Sequence, residues 1–156
     1  MIALQENLIN VPKLSKQPSN RELINWLRNW DADYINRENK RIKKTGEVFT
    51  PTKLVQEMLS NISEQQFTDK AKTFIDPACG NGQFLSEVLI KKLENGIEFE
   101  VALKAIYGID IMLDNIAICR NRLLCEQEQY RYIVEKNIVC GDALTYNFDT
   151  FTEWKL

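Results

Sequence analysis

Gly80 and Gly82, in the run Asp76-Pro77-Ala78-Cys79-Gly80-Asn81-Gly82, are the residues best suited to bring backbone against a ligand. Lacking a Cβ, each lets the chain turn sharply and approach a bound group closely. The run leads into Phe84, Leu85, Val88, Leu89 and Leu93 at helical spacing. The N–H groups opening that helix would face an anionic group such as a ligand carboxylate. Asp76, just after Thr73-Phe74-Ile75, can accept from an amine or orient the loop. On its own the pattern serves equally as a tight turn. Asp110 closes Gly108-Ile109-Asp110. A carboxylate at a strand tip can accept from both hydroxyls of a ribose; it can also cap a helix beginning near Met112, and the two roles can coexist. Asp142, in Gly141-Asp142-Ala143-Leu144, can accept from an exocyclic amine. Read alone, it is a turn or cap residue.

These groups need strands that end beside one crevice. Thr73-Phe74-Ile75, Ala105–Ile109 and Asn137–Cys140 read as three short apolar strands, each running into one of the carboxylates. Between them lie the helix after Gly82, broken by Gly96, a short helix near Phe99–Leu103, and a long helix through Leu113, Ile116, Ala117, Arg120, Leu123 and Leu124 extending toward Ile133. This β-α-β-α-β alternation predicts an α/β fold with a parallel sheet and helices on its faces. Ligands of such sheets sit at the carboxyl ends of the strands. Ahead of it, residues 1–18 read as an arm with Pro12 and Pro18. Ser19 and Glu22 form a capping box opening an amphipathic helix over 19–45, with Leu23, Trp26, Leu27, Trp30, Tyr34 and Ile35 on its apolar face and Gly46 as its stop. The two Trp read as packing anchors. Thr50 reads as the N-cap of a further helix with Pro51 at its first position.

Composition narrows the partners. The 156 residues are 44% hydrophobic and 27% charged, as in an ordinary globular domain. No apolar run approaches the ~20 residues of a membrane helix, and the first residues have no signal-peptide pattern, so a cytoplasmic chain is expected. Cys79, Cys119, Cys125 and Cys140 lack CxxC spacing and the chain has no His. Four buried free thiols are expected, with neither zinc nor disulfides. Net charge is −2, but residues 1–50 carry nine Lys/Arg against six Asp/Glu. Lys40, Arg41, Lys43 and Lys44, with Arg37, are a candidate phosphate-tracking patch, or a solvated helix end.

Taken in order, Gly46-Glu47-Val48-Phe49-Thr50-Pro51, DPACGNG at 76–82, GID at 108–110 and GDAL at 141–144 resemble the S-adenosylmethionine (AdoMet) motifs of gamma-class adenine-N6 DNA methyltransferases. That class includes the modification subunits of type I restriction systems and fused type IIG enzymes. The resemblance covers roughly residues 37–145 and implies an AdoMet-binding half-domain over 46–156, a truncated Rossmann-like methyltransferase fold of about three strands. It implies that Phe49, Thr50 and Pro51 close over the methionine end of AdoMet, and that Asp76, Ala78, Gly80 and Gly82 line the methionine and sulfonium. Asp110 would hold the ribose, with Ile111 against the adenine face. Asp142 would accept from the adenine amino group, with Ala143 alongside. DNA would be the substrate.

The family's catalytic Asn/Asp-Pro-Pro-Tyr/Phe motif has no counterpart after position 142. In the family its side chain and backbone carbonyl polarise the target amine while the aromatic stacks on the flipped base. No catalytic residue is therefore assigned, and no methyl transfer is expected from this chain alone. The catalytic half would be missing, the chain being a fragment, or would be carried by a separate protein chain. Without the family's fourth strand, Phe74-Ile75 would form an apolar sheet edge, favouring a partner or self-association, with Phe148, Phe151 and Trp154 covering part of it. A non-catalytic AdoMet-binding regulator, sensor or decoy, and an AdoMet-cleaving enzyme, are the competing readings.

Overall fold

The computed structural model describes residues 12–30 and 50–151. Ser19 and Glu22 form the expected capping box: Ser19 Oγ accepts from the Glu22 N–H (3.3 Å) and the Glu22 carboxylate accepts from the Ser19 N–H (2.9 Å). Helix α1 (Asn20–Arg28) buries Leu23, Trp26 and Leu27. Trp26 is 1% exposed, so with its neighbours it anchors the helix, each side chain contributing about 1.5–3 kcal/mol of apolar burial. The apolar pattern continues past Arg28, but the helix stops there. Asn29 closes it, its side-chain amide donating back to the Asn25 carbonyl at 2.7 Å. The remainder of the predicted 19–45 helix, with Tyr34 and Ile35, lies outside the described residues.

Helix α2 (Thr52–Ser60) starts one residue later than predicted. Pro51 is its N-cap, without a side-chain cap bond, and Thr50 precedes it. Then come α3 (Gln65–Thr68), β1 (Phe74–Asp76), α4 (Gln83–Glu94), α5 (Phe99–Lys104), β2 (Ile106–Asp110) and α6 (Leu113–Leu124). A 3-10 turn (Glu128–Tyr130), α7 (Arg131–Asn137), β3 (Ile138–Cys140) and a 3-10 turn (Phe148–Thr150) complete the described chain. The long helix does not run on toward Ile133. Cys125 and Glu126 both take the left-handed conformation (φ 48° and 59°), which a helix cannot continue through.

The sheet order is β1-β2-β3, all parallel, with Ile75 opposite Tyr107, Asp76 opposite Gly108 and Asp110 opposite Cys140. The expected α/β architecture, a Rossmann-like three-stranded parallel sheet flanked by helices, is therefore present. Helix α4 packs on β1 and β2, and α6 on β2 and β3. Gly108 lets α4 approach β2 closely: a Cβ there would lie 2.8 Å from Leu85 Cδ1 of α4 and 3.0 Å from Cys79 Cβ, so a neighbour would have to shift. Helix α1 packs against α4, and Asn20 donates to the carbonyls of Leu93 (3.0 Å) and Ile97 (2.9 Å), tying α1 to the end of α4 and the connection after it.

Within this sheet β1 is an edge strand. Phe74 stacks on Phe67 at 5.1 Å, whereas Ile75 remains 47% exposed. Phe151 meets Tyr107 edge-on at 5.1 Å, and with Phe148 and Ile75 it lines a groove of about 490 Å³. Trp154 lies outside the described residues. Among the described residues no helix is long and apolar enough to cross a membrane. Cys79, Cys119 and Cys125 are buried as expected, but Cys140, at the solvent end of β3, is exposed.

Candidate functional site

Parallel pairing brings the ends of the three strands together, and with them the three aspartates. The segment after β1 folds over the end of β2: Cys79 N–H donates to the Ile109 carbonyl (2.8 Å), and Gly80 N–H donates to Asp110 Oδ2 (3.0 Å). The segment after β3 is held in the same way, Gly141 N–H donating to the Asp110 carbonyl at 3.0 Å. Asp76, Ala78, Gly80, Gly82, Asp110, Ile111, Asp142 and Ala143 thus lie at adjacent strand ends. Thr50 and Pro51 lead into α2, which packs on α4. Phe49 and the basic Lys40, Arg41, Lys43 and Lys44 lie outside the described residues.

All three aspartates make the same local turn. Asp76 Oδ1 accepts from Ala78 N–H (3.0 Å), Asp110 Oδ1 from Met112 N–H (2.8 Å), and Asp142 Oδ1 from Leu144 N–H (2.9 Å). Each carboxylate reaches the amide two residues on, the Asx-turn geometry. Asp110 is the most engaged, because Oδ1 also accepts from Asn115 Nδ2 at 3.2 Å. A carboxylate offers about four acceptor sites. With three donors on it, Asp110 keeps room for about one more, on Oδ2.

Glycine is required at 82 for two reasons. Its φ is 87°, and a Cβ would stand 2.8 Å from Cys119 Sγ of α6. Gly80 is also left-handed (φ 53°). The turn ends at the start of α4, whose N-cap Gly82 provides no side-chain cap. Between the glycines, Asn81 is fully buried and, among the described residues, neither its amide nitrogen nor its oxygen has a partner. An orphaned buried amide is costly to the fold alone and fits a turn completed by a bound polar group. Ile111 (68% exposed), Leu113 and Leu144 (93% exposed) add uncovered apolar surface near the same strand ends, suited to a flat apolar face.

Electrostatically the site is a crowded carboxylate pair. Burial raises the pKa of Asp76 above its usual range; the Ala78 N–H works against that rise and the charge of Asp110 adds to it. Bringing a cation beside them relieves this repulsion. The neighbouring Cys119 thiol, and then burial, push the Cys79 thiol well above its usual range, which disfavours the thiolate.

Beneath the turn lies a polar chain that the motif reading does not single out. Gln83, the first residue of α4, donates through Nε2 to Thr52 Oγ1 (2.8 Å) and accepts through Oε1 from Arg122 Nη1 (2.9 Å). Arg122 is 3% exposed, and burial lowers its pKa to about 10. The available sequence signal was an Arg three residues after Cys119, on the apolar stripe of α6. Among the described residues no group of His, Cys, Asp and Glu could hold a metal ion.

A family model described as N-6 DNA methylase matches residues 33–153. No curated protein and no solved structure matches the chain.

Proposed function

The chain belongs to the N-6 DNA methylase family, and on that premise we propose that residues 46–156 are the AdoMet-binding portion of a gamma-class, site-specific adenine-N6 DNA methyltransferase of the type I or type IIG kind. Bound AdoMet supplies an electrophilic methyl on sulfonium for the adenine amine of DNA. The chain's own residues bind and orient it. Thr50 and Pro51, with Phe49, cover the methionine end; Asp76 accepts from its ammonium; Ala78, Gly80 and Gly82 let backbone approach. Asp110 takes a ribose hydroxyl, Ile111 covers the adenine, and Asp142 with Ala143 meets the adenine edge. The observation that carries the reading is the Gly80 N–H bond to Asp110 at 3.0 Å, which makes the glycine turn and the ribose carboxylate parts of one site. The orphaned Asn81 amide supports it.

Polarising the target amine needs a group absent from these motifs. The family's Asn/Asp-Pro-Pro-aromatic motif, which would supply that group, has no counterpart after position 142 of these residues. Lys40, Arg41, Lys43 and Lys44 are proposed to meet DNA phosphates. Calorimetry with AdoMet and with S-adenosylhomocysteine tests the cofactor reading. Saturable binding at one site is expected, and a folded sample that takes up neither ligand would overturn it. A radiolabelled methyl-transfer assay on DNA should give no turnover with these residues alone; turnover would place the amine-polarising group among them.

A further inference from the structure

We propose that Gln83 is a positioning residue whose amide, oriented by Arg122, sets where the Thr50-Pro51 segment stands over the glycine turn. This rests on the AdoMet reading of that turn. Arg is a donor only, so the Gln83 side chain must present its oxygen to Arg122 Nη1 (2.9 Å). Its NH2 then faces Thr52 Oγ1, at 2.8 Å. The amide cannot flip without setting donor against donor. Thr52 follows Pro51 directly, Gln83 follows Gly82 directly, and Arg122 sits on the helix that follows Asp110. One line of two hydrogen bonds therefore joins the three elements that carry the methionine cover, the glycine turn and the ribose carboxylate.

A second tie, Gln56 Nε2 to the Glu87 carboxylate at 3.2 Å, lies one turn further along α2 and α4. Two polar ties on one helix pair fix rotation and register, which apolar contacts between Val55, Leu59 and α4 do not specify alone. The arrangement is expensive. Arg122 is buried and its Nε has no partner among the described residues, a penalty an apolar side chain there would avoid. Such a local conflict under a candidate site is where function is expected to override packing.

The test uses the full chain, Thr52→Val and Thr52→Ser, because the exposed end of the tie can be cut without opening the core. Two ligands are titrated by calorimetry: S-adenosylhomocysteine, and 5′-methylthioadenosine, which lacks the amino acid end. Thr52→Val should weaken S-adenosylhomocysteine by about three- to tenfold, the worth of one neutral hydrogen bond, and 5′-methylthioadenosine by less than about twofold. Thr52→Ser should restore the native value. In parallel, amide exchange at Val55 and Gln56 of the ligand-free chain should quicken in Thr52→Val alone. Equal loss for both ligands, or native affinity in Thr52→Val, overturns the proposal. If the native chain binds neither ligand, the cofactor reading has failed, and the exchange measurement decides the tie: unchanged exchange in Thr52→Val overturns it.

Discussion

Asp110 is predicted to stabilise the ligand-free fold as well as to bind. Its carboxylate takes Gly80 N–H at 3.0 Å, Met112 N–H at 2.8 Å and Asn115 Nδ2 at 3.2 Å. A hydrogen bond to a charged acceptor is worth about 1.5–3 kcal/mol, with the lower end appropriate to a half-buried group. Asp110→Ala strands two backbone donors and should cost about 3 kcal/mol, or a Tm drop of roughly 6–12 °C for a domain of this size. Asp110→Asn separates the contributions. Its remaining oxygen can keep Met112 and Asn115, but its NH2 then faces the Gly80 N–H, donor against donor. That variant should fall between, losing about 1–2 kcal/mol. Urea and thermal melts without ligand should give the order native, Asn, Ala, and both variants should also lose affinity for S-adenosylhomocysteine. If Asp110→Ala melts within about 0.5 kcal/mol of the native chain, the carboxylate holds no turn and the argument fails.

The other aspartate pulls the opposite way. Asp76 has a raised pKa, so its contribution to stability is fully present below the ordinary 3.8 and is lost as pH rises through the raised value. Ligand-free Asp76→Asn should therefore gain on the native chain as pH is raised from about 4 to 7, while binding AdoMet more weakly; urea melts showing a pH-independent difference would contradict this. Gly82→Ala should cost at least about 1–2 kcal/mol from its φ of 87° and the 2.8 Å approach to Cys119 Sγ. Adding Cys119→Ala should recover only the steric part, so a double-mutant cycle with strictly additive losses would show that the two do not meet. Asn20→Ala should cost about 1–2 kcal/mol by removing its two hydrogen bonds to the Leu93 and Ile97 carbonyls. Asn20→Asp should be worse, since it sets an anion against those oxygens; equal melts for the two would refute that account.

The strand, turn and helix succession was legible because its signals are local. Gly82 and Gly96 punctuate, Ser19 and Glu22 cap, and apolar triplets precede each aspartate. The misplaced boundaries have a common cause, in that nothing apolar marks them. Helix α1 ends at Asn29 while its apolar face continues to Trp30, and α6 ends at a buried Cys125 in a left-handed conformation where glycine would be the usual signal. Edge exposure was also mixed, since Phe74 is covered by Phe67 and only Ile75 stands out. Gln83, Thr52 and Arg122 could not be assembled from spacing, because positions 31 and 39 residues apart meet only once the helices pack.

The coexistence of turn and ligand roles that the sequence allows at Asp110 extends, in this geometry, to Asp76 and Asp142. Asp76, Asp110 and Asp142 each close an Asx turn with the amide two residues on. A carboxylate that fixes its own loop is already oriented before any ligand arrives. The turn role thus supplies the preorganisation that the ligand role requires. It also limits what each can take. Asp110, with three donors in place, has about one acceptor site left, so a ribose diol must share Oδ2 or displace Gly80. Displacement would loosen the glycine turn as a ribose binds, and would couple the two ends of the proposed cofactor through one carboxylate. Asp110→Asn removes that coupling while keeping the Met112 turn. It is therefore the variant in which affinity for 5′-methylthioadenosine and for S-adenosylhomocysteine should fall by different factors; equal factors would mean that ribose and methionine turn are read independently.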